Sequence, residues 1–310
     1  MGELRVGTNP PLLPGMAGPE QLRATLDAMA EAGVDHVVIG DHVSFFVGLG
    51  FDGLIQATAL SMLHPRLPVY TGVYLLPLRH PVAVARQLST LAGMAPGRLV
   101  FGVGIGGEDR HEVEICGVDP ATRGARMEEC LRVLRGLLTG APTTHHGRFF
   151  DLDEAVILPA PDPPVPIVVG GRSDAAVRRA GRLGDGWIGI WVSPQRFAAA
   201  TAVVAEEADV SGRGNVDWRH GMTVWCGFAD DRAVARALLA TAMQGVYQLP
   251  FERFERYSPY GRPEQVAEFL IPYVEAGCRD LNLLARGGDA EATIAAVGEV
   301  RRLLRGSVAA

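Results

Sequence analysis

The residues best suited to chemistry follow short apolar runs of the chain. Asp41 and His42 come directly after the run 35–39, which predicts a strand. Imidazole titrates near neutral pH, so a histidine here can take up or deliver a proton, while the aspartate can orient it or bond a ligand. The structural alternative is a helix-capping aspartate beside a histidine bonded to backbone. We assign His42 as a catalytic residue and Asp41 as a ligand-binding one.

Three glycine-containing strings mark other places where a ligand can approach the backbone. A glycine inside a strand indicates a bulge or a close approach, and glycines at a strand end leave room for a planar ring. Where such a string leads into a helix, free backbone N–H groups and an adjacent arginine suit a phosphate. Kinks and tight turns are the structural alternatives. The strings are Gly72-Val73 within the run 68–76, Gly106-Gly107-Glu108 after the run 98–105, and Gly170-Gly171-Arg172 after the run 165–170.

Glu108 is the second candidate for acid–base work. A glutamic acid must be buried if it is to donate a proton near neutral pH. Glu108, His111 and Glu112 also share a possible helical face, which resembles half of a di-iron carboxylate motif, but the sequence holds no second copy. We therefore predict an acid–base role for Glu108 and no metal site.

Strand-like runs alternate with helical patterns about eight times along the 310 residues. This alternation predicts a single (β/α)8 barrel over residues 1–310, in which the working residues lie at the C-terminal ends of the strands. A doubly wound sheet is the alternative, but the Gly-x-Gly-x-x-Gly typical of its first turn is missing. The strand-like runs are 4–9, 35–39, 68–76, 98–105, 165–170, 186–191, 219–228 and 281–284.

Two segments exceed a plain barrel. Residues 142–164 predict a hairpin inserted after the fourth helix, with 145–150 and 155–159 as its arms. Residues 246–262, before the last helix–strand unit, are rich in aromatic residues and proline and have no period, so we predict a lid over the barrel mouth.

Composition excludes several classes of protein. All 29 cationic side chains are arginine, so Schiff-base chemistry on an own-chain lysine and a P-loop lysine are excluded. The net charge of −6, without a basic stripe, argues against nucleic acid as a partner. No apolar run approaches the length of a membrane span, and the N-terminus lacks the pattern of a signal peptide. The four cysteines are scattered and predict neither disulfides nor zinc. We expect a cytoplasmic protein.

Taken together and in this order, these strings resemble the luciferase-like superfamily, and in particular its branch that uses the deazaflavin coenzyme F420. The resemblance extends to Tyr260–Val266 and to the Glu-Ala-Gly junction at 275–277. It implies that Asp41 and His42 lie beside the cofactor ring and that Gly72-Val73 is a non-prolyl cis peptide under one ring face. It also implies that the glycines at 106–107 with Glu108 line the ring and that those at 170–171 with Arg172 hold the phosphate.

The chain departs from the sugar-phosphate dehydrogenases of that branch. Phe46 stands where they have tryptophan, which places Phe46 in the substrate pocket, and the lysines with which they bind the substrate phosphate are absent. A phosphorylated sugar is therefore disfavoured. We predict an F420-dependent oxidoreductase that transfers a hydride to or from a small organic molecule. The alternatives are an FMN-dependent monooxygenase supplied by a separate flavin reductase and a flavin-binding protein without catalysis.

Two expectations concern contacts beyond the ring. The acidic tail of F420 is expected to lie near some of the arginines that follow the phosphate string, which are Arg178, Arg179 and Arg182. Members of this family generally pair through barrel helices, so we expect a homodimer that uses the apolar helices bearing Leu22 and Leu88.

Overall fold

Eight parallel strands close into a barrel that is surrounded by helices, which confirms the predicted (β/α)8 fold. The computed structural model describes residues 3–11, 17–46, 48, 50–107 and 109–309. The strands in chain order are β1 (Arg5–Thr8), β2 (His36–Ile39), β3 (Val69–Thr71), β4 (Tyr74–Leu75), β5 (Leu99–Gly104), β6 (Thr143–His146), β7 (Asp151–Ala155), β8 (Ile167–Gly170), β9 (Gly186–Ile190), β10 (Gly221–Phe228), β11 (Tyr260–Gly261) and β12 (Asp280–Arg286).

The barrel runs β1-β2-β3-β5-β8-β9-β10-β12 and closes where β12 pairs with β1. The short strand β4 pairs with β5 after a break at Gly72-Val73, whose peptide bond is cis, as the resemblance implied. The run predicted as one strand over 68–76 is therefore two strands, β3 and β4, joined by this bulge.

Several helices begin directly after a residue that caps their first turn. The side chains of Asp52, Ser173, Ser193 and Asp231 accept hydrogen bonds from backbone N–H groups of the first turns that follow them. The helices are α1 (Pro19–Glu31), α2 (Gly53–Leu63), α3 (Pro81–Met94), α4 (Arg110–Ile115), α5 (Arg123–Leu137), α6 (Asp174–Leu183), α7 (Pro194–Val210), α8 (Arg232–Tyr247), α9 (Pro263–Glu275) and α10 (Ala290–Ala309). Among the described residues, none of these helices is long and apolar enough to cross a membrane.

Strand side chains alternate between the helix layer and the barrel interior. On β12, Leu281 and Leu283 are buried in the main core beneath the helices, whereas Asn282 points inward and its Oδ1 lies 2.6 Å from Nε2 of His36. Burial lowers the pKa of His36. Gly7 makes room for this ring, because a Cβ on Gly7 would lie 2.2 Å from it. A buried polar layer thus fills the barrel interior toward the N-terminal ends of the strands, which we call the lower end of the barrel.

The N-terminal end of the barrel is closed by ion pairs. Asp280, which is fully buried, accepts hydrogen bonds from Arg5 at 2.6 Å and from Arg219 at 3.2 Å. Burial opposes ionisation of Asp280, but these two arginines outweigh it and lower the pKa of the carboxyl group. A cavity of about 730 Å³ at this end is lined by arginines and prolines. Arg135 and Arg213, which line it, both contact the carboxylate of Asp185.

The two inserted segments have defined structures. β6 and β7 pair antiparallel within 142–164, so the second arm of the hairpin is 151–155 and not 155–159. In segment 246–262, Phe251 is buried against the aromatic cluster on β10 and α8, and Arg236 of α8 donates a hydrogen bond to Glu255 at 2.7 Å. This segment therefore packs against the barrel as a wall of its mouth.

Candidate functional site

A cavity of about 970 Å³ opens at the C-terminal ends of the barrel strands. Its walls come from the loops after β2, β5, β8 and β9 and from the segment 246–262. Glu108 lies outside the described residues. The other residues that the sequence assigned to the ring, the phosphate, the substrate pocket and catalysis all line this cavity: Asp41, His42, Phe46, Gly72, Val73, Gly106, Gly107, Gly170, Gly171 and Arg172.

His42 is held by a carboxylate on another loop. Its Nδ1 lies 3.1 Å from Oε2 of Glu112, which is buried in the first turn of α4. The same carboxylate accepts hydrogen bonds from the backbone N–H groups of Val43 at 2.6 Å and Ser44 at 3.0 Å. Because an ionised carboxylate only accepts, Nδ1 of His42 carries the hydrogen, and Nε2 is the nitrogen left for other partners.

Phe45 supports the histidine from one side. The two rings stack with their centroids 4.1 Å apart, and the side chain of His42 remains 31% exposed at the cavity. A ring fixed at Nδ1 and stacked on one face keeps a single orientation toward the cavity. This geometry suits proton transfer at Nε2.

The carboxylate of Asp41 is hydrogen-bonded to other residues of this chain. Within the described part of the structure it forms no hydrogen bond with His42. Its two oxygens accept hydrogen bonds from Arg79 at 2.7 and 2.8 Å, and from the N–H groups of Gly53 and Leu75 at 2.9 and 2.8 Å. Burial would lower the pKa of Arg79, but Asp41 outweighs it and the pKa is raised. Asp41 therefore ties the loop after β2 to the start of α2 and to β4. The orienting role that the sequence suggested for it is performed by Glu112.

Val73 rises into the cavity because two neighbouring strands carry glycine. A Cβ on Gly104, at the end of β5, would lie 2.4 Å from Cγ2 of Val73, and one on Gly170, at the end of β8, would lie 2.9 Å from Cγ1. The isopropyl group occupies the space that these side chains would need. It forms a raised apolar floor for anything planar bound above it.

The loop 170–173 has the features of an anion site. Gly171 adopts φ +137°, a conformation that favours glycine, and Ser173 caps α6 by accepting a hydrogen bond from the N–H of Ala176. The exposed guanidinium of Arg172 lies 5.2 Å from the ring centre of Trp191. Arginine and the N-terminal turn of a ten-residue helix together suit a phosphate.

Aromatic side chains form the part of the wall next to this loop. Trp191 packs against Tyr247 and Phe254, with ring centres 5.0 and 4.6 Å apart, and Phe46 lies at the rim with 44% of its surface exposed. This wall favours an apolar or aromatic ligand, since few polar groups lie on it.

The three arginines that were considered for the acidic tail of F420 lie outside the site. Arg178 and Arg182 pair with Glu207, and Arg179 donates a hydrogen bond to the carbonyl of Gly124. None of them lines the cavity. The expectation that they lie near the groove was wrong, because their side chains leave α6 toward α5 and α7.

Glu112 is the functional residue that the sequence argument missed. Asp109 caps α4 by accepting from the N–H groups of His111 and Glu112, which places Glu112 in the first helical turn after β5. A carboxylate three residues after a capping aspartate, next to a glycine-rich strand end, was the available signal. No group of three or more possible metal ligands occurs among the described residues.

Sequence comparison relates the chain to known proteins. The model of the luciferase-like monooxygenase family matches residues 5–280. An F420-dependent glucose-6-phosphate dehydrogenase of Nakamurella multipartita is 29% identical, over 91% of either chain. An uncharacterized protein of Mycobacterium tuberculosis is 41% identical over 134 residues, which are 43% of this chain and 46% of that protein, so the match spans less than half of that relative.

Solved structures share the fold. An F420-dependent secondary alcohol dehydrogenase in complex with an F420-acetone adduct superposes with a TM-score of 0.84 at 20% identity, covering 98% of this chain and all of that one. The oxygenating constituent of 3,6-diketocamphane monooxygenase from Pseudomonas putida, in complex with FMN, gives 0.73 at 19% identity, covering 97% and 98%. Both are barrels of the same architecture.

Proposed function

Because the chain belongs to the luciferase-like monooxygenase family, we propose that it is a coenzyme F420-dependent oxidoreductase that transfers a hydride to or from a small organic substrate. The observation that carries the proposal is the His42–Glu112 pair beside a glycine-floored cavity at the barrel mouth. F420 is favoured over FMN because full-length relatives, such as the Nakamurella enzyme, are F420-dependent.

The cavity fits a ring with a phosphate-bearing chain. Val73 would support one face of the ring, and Gly106 and Gly107 would line its edge without side chains. Arg172 and the start of α6 would hold the phosphate. When bound, the deazaflavin supplies a two-electron hydride carrier that reacts poorly with oxygen.

The chain's own contribution to the reaction is proton transfer and exclusion of water. Hydride transfer involving a carbonyl, imine or activated alkene leaves one proton to be delivered or removed, and His42 would do this at Nε2. Glu112 fixes the orientation of the ring through the contact at Nδ1. Glu108 stays a prediction as a second acid–base group. The aromatic wall would keep water from the substrate.

Titration of the purified protein with each oxidised cofactor tests the choice between F420 and FMN. We expect F420 to bind with micromolar affinity, which is measured through the quenching of its fluorescence. FMN should bind much more weakly. Micromolar binding of FMN with none of F420 would favour the monooxygenase alternative and its flavin reductase partner. Binding of F420 without turnover across a panel of alcohols, ketones and enones would favour the non-catalytic alternative.

The homodimer also remains a proposal, for which we now favour a different surface. Leu88 is fully buried and Leu22 is partly buried against the core, so these two side chains offer little apolar surface to a partner. Instead α2 exposes Ile55, Ala59 and Met62 along one face. Light scattering should return about twice the 33.1 kDa of one chain, and Ile55→Glu should shift the mass toward that of the monomer.

A further inference from the structure

Arg286 lies at the barrel mouth and points inward. It ends β12, two residues after Leu284, which lines the cavity, and four after Asn282, which points into the barrel interior. Side chains two residues apart on a strand share a face. Arg286 therefore shares the inward face of β12 with Leu284, on the side of the barrel away from the loop 170–173, and lies next to the cavity without being one of the residues that line it.

Its neighbours hold the guanidinium in place through one nitrogen. Nη1 donates hydrogen bonds to Oδ1 of Asn9 at 3.2 Å and to the carbonyl of Ala285 at 2.7 Å. The group also lies over the ring of Trp225, 4.6 Å from its centre. These contacts fix the plane of the group and use only the two N–H bonds of Nη1.

The edge formed by Nε and Nη2 has no partner among the described residues. Elsewhere in this molecule the same edge binds a carboxylate with two hydrogen bonds, as in Arg5 with Asp280 and Arg301 with Asp35. Arg286 makes no ion pair within the described part of the chain. It presents an already oriented edge that matches two carboxylate oxygens.

The missing carboxylate has an energetic cost. Burial lowers the pKa of Arg286, and the groups of Cys226 and Tyr247 only partly offset it. A desolvated cation without a counter-charge is unfavourable, and an anion bound at its open edge would remove much of that penalty. The same logic explains why Asp280, at the other end of β12, has two arginines.

We propose that the open edge of Arg286 binds a carboxylate of the substrate. This inference rests on the proposed function and names its substrate class, a small organic acid whose apolar or aromatic part lies against Trp191 and Phe254. The same edge would also match two oxygens of a phosphate, but a single guanidinium balances the one charge of a carboxylate and would leave most of a second charge of a phosphate unpaired, so a carboxylate is favoured.

Calorimetric titration of the F420-loaded protein with benzoate and with its neutral isostere benzamide tests the proposal. The variants are Arg286→Met, which removes the charge, and Arg286→Lys, which keeps the charge but loses the planar edge. Arg253→Met is the control, because Arg253 is an exposed arginine on the segment 246–262. Thermal unfolding of each variant checks that it is folded.

We expect benzoate to bind wild type and the Arg253 variant alike and to bind Arg286→Met at least tenfold more weakly, with Arg286→Lys between them. Benzamide should bind weakly to all four, and the affinity for F420 should not change. Equal benzoate affinity in wild type and Arg286→Met, or no benzoate binding at all, would overturn the proposal. Loss of F420 affinity in Arg286→Met would overturn it too, since the arginine would then serve the coenzyme. If wild type does not bind F420, the proposed function fails, and the same titrations without coenzyme still decide the role of Arg286.

Discussion

The charged side chains at the two ends of β12 differ in whether they are paired with an opposite charge. At its first residue, Asp280 is fully buried and contacts the guanidinium groups of Arg5 and Arg219. At its last residue, Arg286 lies over Trp225 and has no carboxylate within the described part of the chain. One end of the barrel is neutralised by its own side chains, whereas the other leaves a cation oriented for a partner.

A second pair of positions shows the same difference. At the N-terminal end Asp185 contacts two arginines. At the mouth Arg172 lies over Trp191, just as Arg286 lies over Trp225, and neither forms an ion pair with the residues described. Tryptophan holds a guanidinium in place without neutralising it. We infer that the ion pairs of the N-terminal end supply stability and that these two arginines of the mouth are left for ligands, so substitutions at the two ends should affect different measurements.

The largest effect is expected at His42. His42→Ala should lower turnover roughly 10²–10⁴-fold, because the proton that accompanies hydride transfer loses its carrier. Stability and F420 affinity should change little, since the ring is partly exposed. His111→Ala is the control, because His111 is exposed on α4 beside Glu112. Wild-type turnover in His42→Ala would refute the assignment, and loss of F420 binding would make His42 a binding residue.

A substitution at the other end should reverse this pattern. Asp280→Asn should destabilise the protein by about 3 kcal/mol, because it leaves Arg5 and Arg219 without their buried counter-charge. Denaturant unfolding measures this, and turnover of the folded fraction should stay at the wild-type level. Asp230→Asn, at an exposed position, should change neither quantity. A turnover defect in Asp280→Asn would contradict the division between the two ends.

The lower end should also set the response to acid. Burial lowers the pKa of His220 to about 4, and its Nδ1 accepts a hydrogen bond from the N–H of Trp187. The unfolded chain therefore binds a proton near pH 6.5 that the folded chain does not, so stability should fall by about 2 kcal/mol between about pH 7.5 and about pH 5. His36 acts in the same direction. Unfolding curves of His220→Gln should show a smaller pH dependence, and an unchanged slope would exclude His220 as its source.

The smallest effect on turnover is expected at Glu112, at the mouth of the barrel. Glu112→Gln should lower turnover about tenfold, the equivalent of one hydrogen bond to a charged group. A purely structural role would not change which nitrogen of His42 carries the hydrogen. In nitrogen-detected NMR at high pH we expect the Nδ1–H form of His42 in wild type and more of the Nε2–H form in the variant. The same tautomer in both proteins would argue against Glu112 as the positioning residue.

The strands were predictable because their signal is local. The runs 98–105 and 186–191 lie within one residue of β5 and β9, since strands covered on both faces are apolar throughout. The break in 68–76 was marked by glycine, but its shape depends on Val73 finding space above Gly104 and Gly170, and those contacts cross strands. Sequence periodicity does not report on such contacts.

The partners of the site residues were not predictable for the same reason. Asp41 and Arg79 are 38 residues apart, and His42 and Glu112 are 70 apart. The sequence identifies carboxylates and cations at strand ends, but which loop folds onto which depends on the closed barrel. It therefore did not identify Glu112 as the partner of His42, because adjacency in the chain was the only proximity available.

The position of Val73 between two glycines also constrains how the sequence can change. Any side chain added at Gly104 or Gly170 would collide with its methyl groups. Such a replacement becomes tolerable only together with a smaller residue at position 73. These three positions should therefore vary jointly among descendants of this sequence, and a library that randomises them one at a time would miss most of the functional combinations.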